Sequence, residues 1–576
     1  MLEVLDRDLN ARIIRWKEGT LSTIAPEILY LDTESFPAPD EASLILVEEE
    51  GGHRILTSGG EKGPLLKGGV EYPLSYLRSE GLNQLVTGDS SLTVRSAPIN
   101  MPSKLEVDGP LVRLDGAFEL RRDPRGLVES IVRLREAVGN SVPIYAPGIM
   151  EVGNLALLCY MGIDLFDSSL VLLQSARGRV MLPDRNIDAF QADWLLEEPT
   201  CENILDLNLR SLSNELFQVR WAISNGKLRD MVETRVTSDP WAVSVLRLFD
   251  LDGYDHQEVN APVVGERVAC NTKQALHRPD VERWRRRIYE RYQPPVTKKV
   301  LLLLPCSARK PYSTSRTHKT FRRAIDSVGK SHLVHEVIVT SPLGVVPREL
   351  ELFYPAAHYD IPVTGHWDCF ETGMIRDLIR HIASFGYEHI IFHMDEPFFP
   401  EGFDFVQTSS GTPTSRESLA NLCEALELVC GPLEPKSRAE DRIATMSAIT
   451  RFQFGPGGEI LMEGAEVVGR HPRPRIVEEG KQLGMLSPER GMISLTIDGA
   501  RKLGSRGVNL VHIGDFELKG NLFAVGVERA DLHLRRGDEA IVIRGDEVVG
   551  VGVASMNGPE MMDLSRGEAV RIRHTG

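Results

Sequence analysis

From Pro305 to His318 the chain reads Pro-Cys-Ser-Ala-Arg-Lys-Pro-Tyr-Ser-Thr-Ser-Arg-Thr-His. These residues bring together a thiol (Cys306), an amine (Lys310), a phenol (Tyr312), seryl hydroxyls (Ser307, Ser313, Ser315) and an imidazole (His318). A thiolate adds to weakly electrophilic carbon, and it forms near neutral pH when a cation lowers the thiol pKa. Arg309, Lys310 or a protonated His318 could supply that cation. His318 or Tyr312 could then give a proton to the atom that gathers negative charge. Ser307 and Ser315 would orient the electrophile. The competing reading is a basic, Ser-rich surface turn. Position favours the chemical reading: residues 300–304 are all apolar, as in a strand buried on both faces of a parallel sheet. Open α/β sheets hold ligands beyond the carboxyl ends of such strands.

An α/β domain over 296–432 is expected to carry this loop. Its predicted strands are 299–304, 335–340, 359–363 and 389–392, and its predicted helices are 320–328, 374–385 and 415–429. The strand ends collect Ser341, Thr364 with His366, and His393 with Asp395. His358, His366, His393, Asp368 and Asp395 fall in no metal-binding spacing, so no metal is expected. Upstream, residues 1–110 alternate short apolar runs with Gly, Pro and acidic turns and read as β-rich. From 111 the period lengthens to helix 123–138, strand 142–146, helix 152–161 and strand 163–166. That alternation predicts parallel α/β structure of barrel type. Residues 505–576 read as all-β, with short strands between Gly-Asp and Lys-Gly turns.

The 576 residues predict several domains, and the net charge of −16 argues against nucleic-acid binding if taken globally. The distribution reverses that argument. Residues 273–326 hold 15 Lys/Arg against four Asp/Glu and run directly into the Cys306 loop. Arg283, Arg285, Arg286 and Arg287, interleaved with Trp284 and Tyr289, are candidate phosphate contacts. A solvated helix face is the alternative. Seven scattered cysteines without a C-x2-C pair fit a reducing cytoplasm. No 18-residue apolar stretch predicts a membrane span, and the charged N-terminus does not read as a secretion signal.

The pattern P-C-x3-K-P-Y-x2-S-x2-H, complete here in Pro305, Cys306, Lys310, Pro311, Tyr312, Ser315 and His318, resembles the signature of the archaeosine synthase family. That family is paralogous to tRNA-guanine transglycosylase. Residues 161–168 and 176–178 resemble a strand end and turn of the transglycosylase barrel, and 114–118 resembles its second aspartate loop. The resemblance places Asp115, with Asp164 or Asp167, where that family keeps its nucleophile and base. Only Cys201 stands near the family's zinc cysteines, and one thiolate cannot hold a structural zinc. Residues 436–503 resemble the domain preceding a PUA module, and 505–576 a PUA RNA-binding barrel, with Lys519, Arg535 and Arg536 as RNA contacts.

The implied protein is a cytoplasmic multidomain α/β enzyme. Residues 1–290 form a degenerate transglycosylase-like (β/α) barrel, followed by a second parallel α/β domain, a small α+β domain and the PUA barrel. It adds an amine, free lysine in many members, to the nitrile of 7-cyano-7-deazaguanine in the tRNA D-loop, toward the amidine of archaeosine. Cys306, Lys310, Tyr312, Ser315 and His318 would be catalytic. Ser307, Ser341 and His366, with the barrel aspartates, would bind substrate. No bound cofactor is expected. Expected partners are the tRNA, a radical-SAM subunit that cleaves the adduct, and a second copy of the chain. A working transglycosylase and a non-catalytic tRNA-binding subunit are the alternatives. Direct attack by the amine, with Cys306 only packing, is the alternative mechanism.

Overall fold

The computed structural model describes residues 1–33, 36–50, 52–67, 111–114, 116–191, 194, 196, 198–362, 366–395, 402–434, 436–470 and 472–576. Asp115 and Thr364 lie outside the described residues. The chain divides into two compact units, the first made of 1–261 with 523–525 and 559–568, the second of the remainder.

In the first unit an antiparallel meander (Leu2–Asp8, Ala11–Glu18, Leu21–Ala25) precedes a seven-stranded sheet. Its order is Lys62–Lys67, Gly52–Thr57, Leu44–Glu49, Glu27–Leu31, Leu165–Asp167, Ile144–Tyr145, Val112–Arg113. The last five strands run parallel and the first two are antiparallel additions. Among the described residues the two edge strands do not pair with each other. The Pro124–Val138 helix begins as its sequence predicts, with Asp123 accepting from the Gly126 amide at 2.9 Å and Pro at the first turn.

Asp164 and Asp167 are spent inside this unit. Both are buried. Asp164 takes Nε and Nη2 of Arg12, each at 2.9 Å, Nη2 of Arg135 at 3.1 Å and the Ile144 amide at 2.9 Å. Burial pushes its carboxyl up, but the two guanidiniums outweigh burial and hold it below the usual range. Asp167 accepts from Tyr145 Oη at 2.7 Å, the Gly148 amide at 3.0 Å, the Ser169 amide at 2.9 Å and the Ser169 hydroxyl. Four donors use up a carboxylate's acceptor sites. The expectation that these aspartates face a substrate is corrected: they join strand, loop and helix.

The second unit is built around the Val300–Pro305 strand. It pairs in parallel with Val334–Thr340 on one side and His389–Phe392 on the other. The full order is Gly344–Pro347, Val334–Thr340, Val300–Pro305, His389–Phe392, Val406–Gln407. Leu302 and Leu304 face a core with Phe321, Ile325, Leu422 and Leu426 from the Arg316–Asp326 and Arg416–Cys430 helices. Leu301 and Leu303 face the opposite core, with Ile375, Leu378 and Ile382 of the Cys369–Ala383 helix. Two covered faces explain the unbroken apolar run.

Two expectations change here. The sheet is mixed, because Gly344–Pro347 runs antiparallel along one edge. Gly344 sits at φ +78°, and a Cβ there would overlap the Leu378 side chain. The segment from Tyr359 does not join the sheet: Tyr359–Asp360 pairs with Val268–Ala269 instead.

The opposite core continues into a four-stranded antiparallel sheet (Glu466–Val468, Arg475–Glu478, Lys481–Ser487, Met492–Leu495) and on to Ile541 and Val551 of a six-stranded sheet near the C-terminus. Glu539, fully buried, binds Arg490, Arg573 and the Leu495 amide, joining these last two sheets.

Replacing Asp164 by Asn should strand Arg12 and Arg135 in the interior. The expected loss is about 3–5 kcal/mol, as for other buried pairs broken on one side. Denaturant unfolding of the full chain measures it. A loss below about 1 kcal/mol, the range of an exposed pair, would show that the cluster is solvated.

Candidate active site

The sheet order turns around at Val300–Pro305. The chain leaves this strand to form its neighbour Val334–Thr340, then returns to the other flank as His389–Phe392. Connections diverge there, opening a crevice beyond the strand ends. A cavity of about 280 Å³ lies at that place. Pro305 and Cys306 form one wall, Thr317 and Phe321 another, and Asp395 enters from the end of the neighbouring strand. Gly411, Pro413 and Thr414 close the far side. His393 holds this loop, with Nε2 2.9 Å from the Pro413 carbonyl and Nδ1 2.8 Å from Thr408 Oγ1. A carbonyl only accepts, so Nε2 carries the proton and Thr408 donates to Nδ1. Burial lowers the His393 pKa, which keeps the ring neutral.

Cys306 is half-buried and reduced. Beside it Lys310 places Nζ 4.0 Å from the centre of the Tyr359 ring. Burial lowers the Lys310 pKa, and Cys306 opposes that shift. The Tyr312 and Tyr359 hydroxyls are hydrogen-bonded to each other, and Tyr359 is 2.5 Å from Thr340 Oγ1. Burial and the field of Cys306 push the Tyr312 phenol up, so it stays protonated. The thiol therefore shares the crevice with the Asp395 carboxylate and lies within the electrostatic reach of the Lys310 amine and the two phenols.

The rest of the motif supports this arrangement. Ser315 caps the Arg316–Asp326 helix by accepting from the His318 amide at 3.1 Å, so its expected catalytic role becomes a structural one. His318 is buried, and its Nδ1 accepts from Arg348 Nη2 at 2.9 Å. Its Nε2 faces the Pro305 carbonyl without closing a hydrogen bond of standard geometry. Burial and the Arg348 charge bring its pKa down to about 3. A protonated His318 therefore does not stand beside the thiol, which corrects one of the three activating cations expected. Arg348 also binds Glu336 at 2.7 Å and Glu351 at 2.8 Å, and Glu351 accepts from the Ser313 amide at 2.9 Å. Burial raises the Glu336 carboxyl, but Arg348 and Arg322 outweigh it and hold it at about 2.

The other expected site residues are scattered. Ser307 turns back on the Arg309 carbonyl at 3.1 Å. Ser341 is buried and donates to Glu371 at 2.6 Å, and His366 is exposed. Arg283 and Arg285 are buried: Arg283 donates to the Pro262 carbonyl, Arg285 to those of Pro342 and Leu276. Arg286 is paired with Glu282 at 3.1 Å, and Arg287 acts on buried Asp538. Arg535 is buried against the Leu532 and Leu534 carbonyls, and the Arg536 carbonyl accepts from the Val263 amide at 2.9 Å. Lys519 is exposed, next to Glu517. The expected phosphate contacts at Arg283, Arg285 and Arg535 are thereby corrected, because these guanidiniums are buried and donate inward to backbone oxygens, Arg285 to Glu282 as well. Asp395, expected with His393 among the strand-end polar groups, does line the crevice, whereas the Arg348–Glu336–Glu351 cluster carries no expectation from the sequence. Glu336 inside an apolar strand was the one sequence signal for the cluster.

Because His318 is neutral, His318→Gln should not move the pH at which Cys306 becomes reactive. Alkylation of Cys306 by iodoacetamide from pH 5 to 9, read by peptide mass spectrometry, is expected to give the same midpoint in both proteins. An upward shift of about one unit or more in the variant would restore the imidazolium as the activating charge.

A family model described as a domain of unknown function (DUF5591) matches residues 281–426, which include the crevice, and a PUA domain model matches 513–576. The archaeosine synthase subunit alpha of Methanosarcina acetivorans is 35% identical over 500 residues, covering 80% of this chain and 79% of its own. That of Thermoplasma acidophilum is 31% identical over 518 residues, covering 88% and 96%. A tRNA-guanine(15) transglycosylase of Methanosphaera stadtmanae is 23% identical over 542 residues, covering 85% of this chain and 75% of its own. Relatives sharing a third of their residues over four fifths of the length leave one assignment: the chain belongs to the archaeosine synthase family.

Proposed function

We propose that this protein modifies tRNA in the formation of archaeosine, by adding the amine of free lysine to the nitrile of 7-cyano-7-deazaguanine. The names of its relatives and its PUA match support the tRNA reading. The observation that carries the chemistry is the crevice lined by both Cys306 and Asp395, with Lys310 in electrostatic reach of the thiol.

In this mechanism the Lys310 ammonium stabilises the Cys306 thiolate. Sγ adds to the nitrile carbon, one C–N π bond opens, and its electron pair takes a proton from Lys310. The product is a covalent thioimidate. The neutral amine of the donor then attacks the same carbon. Asp395 accepts the proton that the new C–N bond releases, and Cys306 leaves as thiolate, which gives the lysine-bearing amidine. Tyr312 and Tyr359, neutral and buried, close the cation side of the crevice to water. A radical-SAM partner would cleave the lysine adduct afterwards. The first unit would be a transglycosylase-like barrel turned to tRNA binding, a view supported by the transglycosylase relative. No zinc and no base exchange are expected of it.

The test is incubation with lysine and tRNA carrying the nitrile base, followed by nucleoside mass spectrometry. The wild type should give base plus lysine. Cys306→Ala should give none, and Cys423→Ala, at an outlying helix, should match the wild type. Asp395→Asn should slow turnover by about 10²-fold or more, the scale of a lost general base. Guanine exchange without adduct would replace this reading with transglycosylation.

A pH profile separates Lys310 from the rest. If Lys310 must be protonated to give its proton, kcat/KM falls on the alkaline side at a pH below the ordinary lysine range, because burial lowers its pKa. Lys310→Arg should push that limb upward. An unmoved limb would assign it to another group.

A further inference from the structure

The corrected arginines leave a question that the structure answers elsewhere. If a tRNA nucleotide must reach Cys306, its phosphates must pass close to the crevice, over a protein of net charge −16. The helix Pro279–Glu290 does not provide the cations, since its guanidiniums are buried, paired or turned to Asp538.

The helix Arg316–Asp326 does. It starts at the motif, and its Thr317 and Phe321 line the Cys306 crevice. Arg316, Lys319 and Arg323 are exposed on it. At 100° per residue they fall within an arc of about 60° and along about 10 Å of helix. None of the three side chains has an ion pair or hydrogen bond with another described residue. The remaining cation, Arg322, is spent on Asp326 and Glu336. Lys319 and Arg323 also border a second cavity, about 640 Å³, whose floor includes Val334, Leu352, Met446 and Ile449. An apolar floor beneath unpaired cations suits an unstacked base with its phosphate.

Resting on the tRNA reading above, we propose that the stripe Arg316–Lys319–Arg323, on the helix that borders the reaction crevice, is the surface that takes the RNA backbone, with the adjoining cavity open to one unstacked base. Charge complementarity argues for a polyanion. Lys319 and Arg323 face the second cavity while Thr317 and Phe321 of the same helix face the crevice, so a strand held on the stripe lies one helix width from Cys306.

The test is tRNA binding by fluorescence anisotropy from about 50 to 300 mM salt, a range in which counterion release dominates. The probe is an unmodified tRNA transcript with full-length protein. Arg316→Glu, Lys319→Glu and Arg323→Glu combined should weaken binding at least about tenfold and cut the log–log salt slope by about two to three. The Gln versions of the same three should do so in lesser degree, with circular dichroism confirming the fold. Arg286→Glu, a reversal of a paired surface arginine, should leave the slope unchanged. If the wild type binds steeply with salt and both triple variants match it, the stripe is a solvated face and the proposal fails alone. If the wild type does not bind tRNA, the proposal fails together with the function it rests on.

Discussion

The site depends on one constraint, the burial of the Val300–Pro305 strand on both faces. Its five apolar residues, 300–304, are fully buried. Each is worth about 1.5–3 kcal/mol relative to exposure. That fixes the strand in the sheet centre, with neighbours that diverge at its carboxyl end. Cys306 is thus placed at a crevice mouth by the core, not by the loop that carries it. Asp395 arrives opposite because its own strand, His389–Phe392, is the neighbour on that flank.

Charge does the second part of the positioning. Arg348 joins three elements through Glu336, Glu351 and His318, and so clamps the loop between Ser313 and His318 against the sheet edge. The cost of burying these ions is offset by short, nearly complete pairing. The result is a neutral imidazole where a charged one was expected. In the proposed mechanism activation of the thiol then falls to Lys310, whose pKa burial lowers. A cation that releases its proton readily serves both as thiolate partner and as acid.

Much of this was legible before the fold was seen. The buried strand follows from its unbroken apolar run and the flanking helices from their periodicity, and the structure keeps these elements with the motif at the strand's end. What failed were readings that depend on tertiary partners. Arg283 and Arg285 look like a basic surface in sequence, yet they point inward to carbonyl oxygens. Asp164 and Asp167 look catalytic at a strand end, yet each has a full set of internal donors. Residues 359–360 have strand character but pair with 268–269, a partner too short to signal itself. The unpaired stripe of the Arg316–Asp326 helix was hidden in the same basic run, because sequence does not distinguish a spent guanidinium from a free one.

The central claim is that the Cys306 sulfur bonds to the nitrile carbon in the crevice. Intact-protein mass spectrometry after incubation with nitrile-bearing tRNA, without lysine and with nuclease digestion, tests it directly. The account predicts a mass increase equal to the modified nucleotide fragment, mapped to Cys306, that disappears when lysine is added. A protein that stays unmodified while a Cys306→Ser variant still forms the lysine adduct would contradict it and leave direct attack by the amine.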